Sequence, residues 1–296
     1  MSDPPIVVAI GEVLWDVYSD GSRLGGALSN VSVHAASFGA QSFLVSRVGQ
    51  DEKGKEALSR LADLGVDVAH VQQDAIRPTG VVNVSLSSGE PTFEIVEGAA
   101  WDAITWTREL ENLAGRTDAL CFGTLAQREA SSRETIQQFL GSVPDKCIRV
   151  LDLNFRQHYH NRSTVRTALC FTDLLKLNQD EVATLRQYLG GVGDDRLFLW
   201  EIRERFEIDT VVLTLGGEGC QVFSREGENR VTSTPRDVVD AVGAGDAFTA
   251  AFLMNLLAGV ETKRCAERAN EVGGFVVTQN GGSPELPQYL RDAVDQ

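Results

Sequence analysis

The sequence predicts an α/β fold, with a mostly parallel central β-sheet and helices on both of its faces. Short apolar runs alternate with amphipathic stretches along almost all of the 296 residues, as in successive strand–helix–strand units. The composition is that of an ordinary globular protein, with 43% hydrophobic and 23% charged residues. Residues 79–95 break the alternation and predict a second, smaller β-sheet.

Six short apolar runs bounded by Gly or polar residues predict the buried strands of the main sheet, at residues 6–10, 42–48, 119–122, 148–153, 174–177 and 210–215. Stretches with helical periodicity predict the covering helices, at residues 30–38, 51–64, 132–140, 180–189, 194–206, 244–257 and 261–277. Asp51 and Ser132 begin two of these stretches and are residue types that cap helix N-termini, so we expect them to be N-caps.

The smaller sheet is predicted from a β-hairpin and from a segment near the N-terminus. Strand-like runs at 81–86 and 92–95 flank the turn Ser87-Ser88-Gly89-Glu90, and residues 13–19 supply a further strand. No repeat or composition shift marks a linker, so we expect a single domain over residues 1–296, with a β-lid formed by insertions at about 13–24 and 78–103. An exposed apolar face on this lid would allow a homodimer.

The charge balance restricts the partners. The chain has 27 Lys and Arg residues against 42 Asp and Glu residues, a net charge of −15, which argues against nucleic-acid polymers and anionic membrane surfaces. No apolar run approaches the roughly 20 residues that a membrane helix needs. The first five residues lack the basic start of a secretion signal, so we expect a cytoplasmic protein.

The cysteines and histidines give no sign of a metal site. The five cysteines are odd in number and contain no Cys-x-x-Cys pair, which favours buried, reduced thiols. His158 and His160 alternate, but no third ligand lies at ligand spacing from them. We expect His34 to be packed in the core and His70 to face solvent.

The segment most informative about function is residues 240–246, with the sequence DAVGAGD, which leads into an apolar helix. Its small residues leave backbone N–H groups accessible at a helix N-terminus, where the helix dipole favours an anion such as a phosphate. Asp246 in the first turn can accept a proton from a hydroxyl that attacks phosphorus. The same pattern is also typical of a tight strand-to-helix turn in which Asp246 only caps the helix.

Phosphate-binding motifs of other kinds are missing from the sequence. It contains no G-x-x-x-x-G-K-[ST] loop, no protein-kinase motif set, and no G-x-G-x-x-G that opens a helix after a strand. The last absence argues against a nicotinamide-dependent oxidoreductase on a Rossmann fold.

Residues 240–246 resemble the D-[TA]-x-G-A-G-D signature of the ribokinase-like (PfkB-type) carbohydrate kinases, and four other motifs agree in the same order. Gly25-Gly26 with Asn30 is similar to the N-terminal G-G-x-x-x-N motif of that family. The patterns D-x-N-x-R at 152–156, N-x-x-E at 178–181 and T-x-G-x-x-G at 214–219 resemble its middle motifs. The resemblance spans residues 6–287 and implies a ribokinase-like fold.

The resemblance also implies roles for individual residues. Asp246 would be the general base, and the N–H groups of Gly243, Ala244 and Gly245 would form an anion hole for the transferred phosphoryl group. The implied sugar site comprises Asp16, Gly25, Gly26, Asn30, Trp101 and Arg156. The implied nucleotide site comprises Asn178, Glu181, Thr214, Gly216, Gly219 and Asn270, with residues 279–283 beside the adenine.

Each of these residues also has a simpler interpretation when it is taken alone. Asp16 and Gly25-Gly26 are typical of turns and loops, Trp101 of a core, and Arg156 of a surface. Asn178 is typical of a helix cap, and residues 214–219 are typical of a hairpin turn.

Within the family, the sequence looks most like a fructokinase, on the segments 11–16 (GEVLWD), 122–126 (FGTLA) and 152–156 (DLNFR). The implied activity is transfer of the γ-phosphoryl group of ATP, bound with Mg²⁺ whose waters Glu181 would orient, to fructose. Ribose, 2-keto-3-deoxygluconate and a nucleoside are alternative acceptors. A catalytically silent protein that binds sugar or nucleotide is the alternative of another class.

Two departures from the family pattern bear on this interpretation. Ala241 stands where the signature usually has Thr, which removes a hydroxyl group from a monovalent-cation (K⁺) site near Asp240. Leu28-Ser29 stands where a pair of small residues often precedes the Asn, which weakens the assignment of the sugar.

Overall fold

The computed structural model describes residues 3–87 and 90–292 of the chain. In chain order its strands are β1 (Ile6–Ile10), β2 (Leu14–Tyr18), β3 (Gly21–Gly25), β4 (Gln41–Gly49), β5 (Val71–Asp74), β6 (Gly80–Ser87), β7 (Glu90–Ile95), β8 (Ala119–Gly123), β9 (Ile148–Asp152), β10 (Leu174–Asn178), β11 (Thr210–Thr214), β12 (Cys220–Ser224) and β13 (Gly227–Val231). Its α-helices are α1 (Ala27–Ser37), α2 (Glu52–Asp63), α3 (Arg108–Ala114), α4 (Ala130–Leu140), α5 (Arg162–Leu169), α6 (Gln179–Leu189), α7 (Asp195–Arg205), α8 (Ala244–Leu257), α9 (Thr262–Val276) and α10 (Gln288–Arg291).

Nine strands of the described residues form the main sheet, in the order β13-β12-β11-β10-β9-β8-β1-β4-β5. The strands from β11 to β5 are parallel, and β12 and β13 continue one edge in antiparallel pairing. Alternate side chains enter two cores, one on each face: Val7 and Ala9 of β1 belong to one, Val8 and Ile10 to the other. The predicted α/β fold and its six buried strands are confirmed.

The second sheet has the strand order β3-β2-β6-β7. Its β2–β3 and β6–β7 pairs are antiparallel, and β2 pairs with β6 in parallel. The strands of the predicted hairpin are confirmed, whereas Ser88 and Gly89 of its turn lie outside the described residues. Phe93 of β7 is 44% exposed, and the homodimer through this sheet stays a prediction.

Side chains of the body hold the last strand of the small sheet. The Gln157 side-chain amide donates to the carbonyl of Phe93 at 2.5 Å, and the Tyr159 hydroxyl donates to the carbonyl of Ile95 at 3.2 Å. The guanidinium of Arg128 donates to the carbonyl of Val96 at 2.9 Å, directly after the strand. The small sheet is therefore attached to the body at β7 as well as through the chain.

The two predicted helix caps have different outcomes. Asp51 is the N-cap of α2, because its carboxylate accepts from Gly54 N at 2.8 Å. The prediction for Ser132 is wrong, since α4 begins at Ala130. Ser132 is buried, and its hydroxyl donates to the Trp101 carbonyl at 2.7 Å and accepts from Ile104 N at 2.9 Å, so a tertiary contact uses the group that a cap would need.

The cysteines and histidines mostly lie where the sequence predicts. Four of the five thiols are buried, and Cys170 is exposed, contrary to prediction. His34 is fully buried, as predicted. His70 is half-buried against the ring of Phe43 at 5.9 Å, because the start of β5 packs beside β4, so its predicted exposure is wrong.

Residues 3–87 and 90–292 contain neither a clustered set of metal ligands nor a membrane-spanning helix. No cluster of three or more His, Cys, Asp or Glu side chains with metal-ligand geometry occurs among them. Within the same residues, no helix combines the length and apolar character needed to cross a membrane.

Candidate active site

The candidate active site lies at the carboxyl ends of the parallel strands, which meet along one edge of the main sheet. Glu12 follows β1, Asp152 ends β9, and Asn178 ends β10. Helix α8 begins beside them with Asp246 in its first turn. Ligands of open α/β sheets bind outside this edge.

Gly243 forms the N-cap of α8 and is required there on two grounds. Its φ of 77° lies in the left-handed region that favours glycine. A Cβ atom at this position would also overlap the backbone of Gly282. The N–H groups of the first turn of α8 lack partners within the helix. Ala244 N makes only a long contact of 3.5 Å with the Ala241 carbonyl, and Ala244 and Gly245 both line a cavity.

Asp246 is held by a short chain of hydrogen bonds. Its Oδ2 accepts from Asn30 Nδ2 at 2.8 Å, and Asn30 Oδ1 accepts from the Ser283 hydroxyl at 2.8 Å. Removal from water, together with the negative charge of Asp152, raises the pKa of Asp246 to about 6, against the opposing effects of Asn30 and two cations. The carboxylate is therefore held in a fixed orientation, and its pKa lies closer to neutral pH than that of an ordinary Asp. Both properties suit a general base.

A buried ion pair lies beside the first turn of α8. Lys176 Nζ donates to both carboxylate oxygens of Asp152, at 2.9 and 3.1 Å. A Cβ atom at Gly245 would lie 2.9 Å from the same ammonium group, so the cation sits directly against the first turn of α8. Burial lowers the pKa of Lys176, but the negative charges of Asp152 and Glu181 outweigh it and raise the pKa overall, so the cation is retained.

Asp16, on β2 of the small sheet, is a carboxylate with no hydrogen-bond partner among the described residues. A Cβ atom at Gly25 would overlap its Oδ2, so the glycine on the neighbouring strand makes room for it. Burial raises the pKa of Asp16 to about 6, with an opposing effect from Arg156 and further effects from other charged groups that include Asp246. Asp16 is thus available to a ligand and lies within electrostatic reach of Asp246.

Glu12 packs against the Gly25-Gly26 segment and fixes its position. The carboxylate of Glu12 is buried and accepts from Ala27 N at 3.0 Å, at the start of α1. Gly26 has a φ of 105°, and a Cβ atom there would lie 2.5 Å from the Glu12 carbonyl oxygen. Burial raises the pKa of Glu12 to about 7. The loop therefore presents α1, and with it Asn30, to Asp246.

Arg156 projects from a constrained loop after β9. Asn154 in this loop has a φ of 42°, in the left-handed region that Asn tolerates better than most residues. Glu181 Oε1 accepts from Phe155 N at 3.0 Å and so fixes the backbone beside Arg156. The Arg156 side chain is exposed and has no ion-pair partner among the described residues.

Two residues of the implied sugar site lie elsewhere or are already engaged. Trp101 is fully buried in the core, with the Arg128 guanidinium 4.0 Å over its ring and paired with Asp102, so it does not reach the sugar side of the cleft. The Asn30 amide donates once to Asp246 and accepts once from Ser283, which leaves one Nδ2 hydrogen and one Oδ1 lone pair for a ligand. The structure uses Asn30 to hold the candidate base.

Five of the six implied nucleotide-site residues line one cavity of about 380 Å³, together with the start of α8. These five are Asn178, Thr214, Gly216, Gly219 and Asn270. Residues 214–219 are also the predicted turn between two strands, since β11 and β12 pair on either side. Both interpretations of that segment hold at once.

Glu181, the sixth residue, is used within the protein. Its Oε2 accepts from Asn178 N at 2.8 Å, and Asn178 Oδ1 accepts from Glu181 N at 2.9 Å, which makes a capping box at the start of α6. Its Oε1 holds Phe155. Both oxygens are therefore engaged, and Glu181 acts on the cleft through the loops that it fixes.

Residues 279–283 do not line the nucleotide cavity, contrary to prediction. Gly281 N donates to Asp240 Oδ2 at 3.1 Å, and the Gly282 carbonyl lies 3.0 Å from His34 Nε2. Ser283 reaches Asn30. The segment packs over the N-cap of α8 and supports the catalytic end of the cleft.

Sequence reasoning missed three residues of this site. Lys176 had a signal, because it is a charged residue inside an otherwise apolar strand. Glu12 had a similar one, directly after an apolar strand. Ser283 had none, since its partner Asn30 lies 253 positions away.

Comparison with known proteins places these residues in a family context. The sequence pattern of the pfkB family carbohydrate kinases matches residues 9–288. A putative sugar kinase of Pyrococcus horikoshii is 26% identical over 97% of this chain and 95% of its own length. A fructokinase of Klebsiella pneumoniae is 30% identical over 94% and 95%, and a 2-dehydro-3-deoxygluconokinase of Thermoproteus tenax is 29% identical over 90% and 82%.

Solved structures share the fold over nearly the whole chain. A fructokinase with bound ATP from Xylella fastidiosa superimposes with a TM-score of 0.85 at 20% identity, covering 98% of both chains. A Vibrio cholerae fructokinase double mutant, in a form bound to fructose, ADP and potassium ion, superimposes with a TM-score of 0.83 at 24% identity, covering 99% of both chains.

Proposed function

The chain belongs to the pfkB family of carbohydrate kinases, and from that membership we propose that it transfers the γ-phosphoryl group of MgATP to a hydroxyl group of fructose. The observation that carries the proposal is the position of Asp246 in the first turn of α8. A carboxylate oriented by Asn30 lies there beside accessible backbone N–H groups. Phosphoryl transfer depends chiefly on positioning and electrostatic stabilisation, and this arrangement supplies both.

The proposed reaction uses the two carboxylates differently. Asp246 accepts the proton of the attacking hydroxyl group, while the helix N-terminus and Lys176 stabilise the negative charge on the transferred group. Asp16, which has no protein partner among the described residues, accepts a hydrogen bond from another sugar hydroxyl. Because Asp16 belongs to the small sheet, that sheet acts as a lid that holds the sugar and excludes water.

Fructose is favoured by the names of relatives and by the fructokinase-like segments of the sequence. A fructokinase of Klebsiella pneumoniae is 30% identical to this chain. One observation favours a second acceptor, 2-keto-3-deoxygluconate. Arg156 is an exposed guanidinium without an ion-pair partner in the described part of the chain, and it acts electrostatically on Asp16. Such a group suits the carboxylate of a sugar acid.

The residues fit a magnesium ion that arrives with ATP and remains largely hydrated. Both oxygens of Glu181 already accept backbone N–H groups, so this residue would contact the ion's waters and not the ion itself. When bound, Mg²⁺ neutralises charge on the β- and γ-phosphates.

The residues near Asp240 offer a potassium ion one hydroxyl ligand fewer than the signature with Thr. The two oxygens of Asp240 accept from Val242 N and Gly281 N, and Ala241 supplies no hydroxyl group. The Gly282 carbonyl is engaged by His34. No step of the proposed reaction depends on K⁺.

The test is an ADP-release assay on the purified protein with a panel of acceptors. We expect fructose to give the highest kcat/KM among fructose, ribose, 2-keto-3-deoxygluconate and adenosine. A higher value for another acceptor contradicts the choice of fructose and keeps the kinase. If no acceptor gives turnover while calorimetry shows binding of both ATP and sugar, the protein is a binding protein and the proposed activity is wrong.

A further inference from the structure

A second, more polar cavity of about 540 Å³ lies beside the nucleotide cavity. The two cavities share four lining residues, Ser233, Thr234, Arg236 and Asn270. They are therefore adjacent, and we call the nucleotide cavity the first lobe and the second cavity the polar lobe. The proposed reaction accounts for the triphosphate end near α8, and it leaves the boundary between the lobes without a function.

Glycines from two different elements line the first lobe. Gly216 and Gly217 belong to the loop between β11 and β12, and Gly273 and Gly274 belong to α9. A Cβ atom at Gly216 or Gly217 would meet no other atom within 4 Å, so these positions face open space. Backbone without side chains allows a flat ligand to approach closely.

Arg236 covers one of these glycine surfaces. Its Cγ and Nε atoms lie 3.7 Å from the position of a Cβ atom at Gly274, which is van der Waals contact. Its guanidinium has no hydrogen-bond or ion-pair partner among the described residues, unlike Arg264 in the same polar lobe, which pairs with Glu267. A planar, weakly hydrated cation in this position can stack on a purine ring.

Two amide side chains of the first lobe that could hydrogen-bond to the edge of a base already bond within the protein. Asn270 Nδ2 donates to the Val231 carbonyl at 3.4 Å, and Asn178 Oδ1 accepts from Glu181 N. The hydroxyl groups of Ser233 and Thr234 can donate or accept, so they do not distinguish an amino from an oxo group. These four side chains therefore give the first lobe little means of distinguishing one purine edge from another.

We propose that Arg236 stacks on the purine of the phosphoryl donor and that the site accepts GTP and ITP as well as ATP. The proposal rests on the proposed kinase function. With GTP, the bond between the γ-phosphorus and the β–γ bridging oxygen breaks and a bond to the sugar oxygen forms. GDP leaves with the bridging oxygen, and Asp246 takes the hydroxyl proton.

The first measurement compares donors with the unmodified protein. We expect kcat/KM for GTP to lie within about tenfold of the value for ATP, because sites that read a polar group on a substrate discriminate by about 10⁴-fold or more. Discrimination against GTP by more than about 10³-fold would overturn the proposal.

The second measurement uses Arg236→Ala, with Arg225→Ala as the control, because Arg225 is exposed, pairs with Asp209 and lines neither cavity. We expect Arg236→Ala to raise KM for ATP and GTP by the same factor, about 2- to 30-fold, with kcat little changed. Arg225→Ala should change neither constant. A change in the GTP-to-ATP ratio means that Arg236 reads a base edge, and unchanged KM values mean that it does not touch the base; either result contradicts the proposal.

Calorimetry with non-hydrolysable ATP and GTP analogues separates this proposal from the proposed function. If no sugar is phosphorylated but both analogues bind, with equal losses in Arg236→Ala, the kinase assignment fails and the stacking role stands. If ATP supports turnover but the Arg236→Ala protein binds both analogues normally, the stacking role fails alone.

Discussion

The proposed catalytic end of the cleft, around Asp246 and Asp152, and the nucleotide cavity are lined by different kinds of groups. At the catalytic end, buried and half-buried side chains hold one another: Ser283 bonds to Asn30, Asn30 bonds to Asp246, and Lys176 pairs with Asp152. The nucleotide cavity is lined largely by glycine backbone and by side chains of an exposed loop.

This difference separates two tasks. Fixed dipoles and charges that need no rearrangement lower the barrier of the chemical step, and that requires side chains locked in place before the substrate arrives. A nucleotide must leave after every turnover. It can be bound by van der Waals contact with glycine backbone, which needs no network of linked side chains. Changes at the catalytic end should therefore lower kcat, and changes in the nucleotide cavity should raise KM for the donor.

The largest effect should come from Asp246→Asn. Asparagine keeps the size and the hydrogen-bond acceptor for Asn30, but it cannot take the proton, so we expect kcat to fall by about 10²- to 10⁴-fold. KM for ATP and the melting temperature should change little. Steady-state kinetics and thermal unfolding measure both.

The matched control for this variant is Asp237→Asn, which removes an exposed carboxylate from the loop that leads to α8. We expect the control to retain the kcat of the unmodified protein. Near-normal turnover in Asp246→Asn would exclude Asp246 as the base.

A smaller effect should come from Gly243→Ala, and it should change both kcat and the KM for ATP. The new Cβ atom would overlap Gly282 and impose a strained φ, so the N-cap of α8 must move. We expect kcat/KM to fall by at least about tenfold, since displacements of about 1 Å can cost about 10²-fold. Kinetics with both substrates varied, together with the free energy of unfolding from urea titration, measures the effect.

Gly259→Ala is the control that separates backbone strain from the steric overlap. Gly259 has the same φ of 77°, at the other end of α8, but a Cβ atom there would meet nothing within 4 Å. We expect this variant to lose about 1–2 kcal/mol of stability and to keep its kcat/KM. Equal losses of activity in the two variants would show that the contact with Gly282 does not matter for the chemistry.

The two ends also differ in how far the sequence predicts them. The glycines and polar residues of the nucleotide cavity lie in short motifs, and five of the six implied residues do line it, because backbone geometry is encoded locally. Six strands of the main sheet were predictable for the same reason, because each is largely an apolar run, whereas β5 (VQQD) and β13 (GENRV) are not. Asn178 shows the limit of such motifs. The motif allows either a helix cap or a cavity residue, and in the structure Asn178 is both.

The catalytic end depends on partners that are distant in the chain, and there local patterns fail. Asn30 matches a sugar-ligand motif, and its amide also bonds to Asp246, 216 positions away, and to Ser283, which the motif does not predict. Ser132 resembles a helix cap, but its hydroxyl bonds to Trp101 and Ile104. In each case the side chain makes a tertiary hydrogen bond that its local sequence does not indicate.

The pH dependence of kcat/KM gives the finest test of the catalytic end. Asp246 must be ionised to act as a base, and with its pKa raised to about 6, activity should fall as the pH drops through that value and be full above it. The charges that set this value include Asp152, which raises the pKa of Asp246, and Lys176 and Arg156, which lower it.

Ser283→Ala should move this acid limb without abolishing activity. Without the Ser283 hydroxyl, Asn30 is held less firmly and stabilises the carboxylate of Asp246 less, so the pKa rises and the limb moves to higher pH. At pH 8 the loss should be only about twofold, as expected for one hydrogen bond between neutral groups. Ser32→Ala, which removes a buried hydroxyl from the same helix α1, should leave the limb in place. If the limb of Ser283→Ala also stays in place, Asn30 is oriented by Asp246 alone, and the catalytic end is less dependent on linked side chains than its hydrogen bonds indicate.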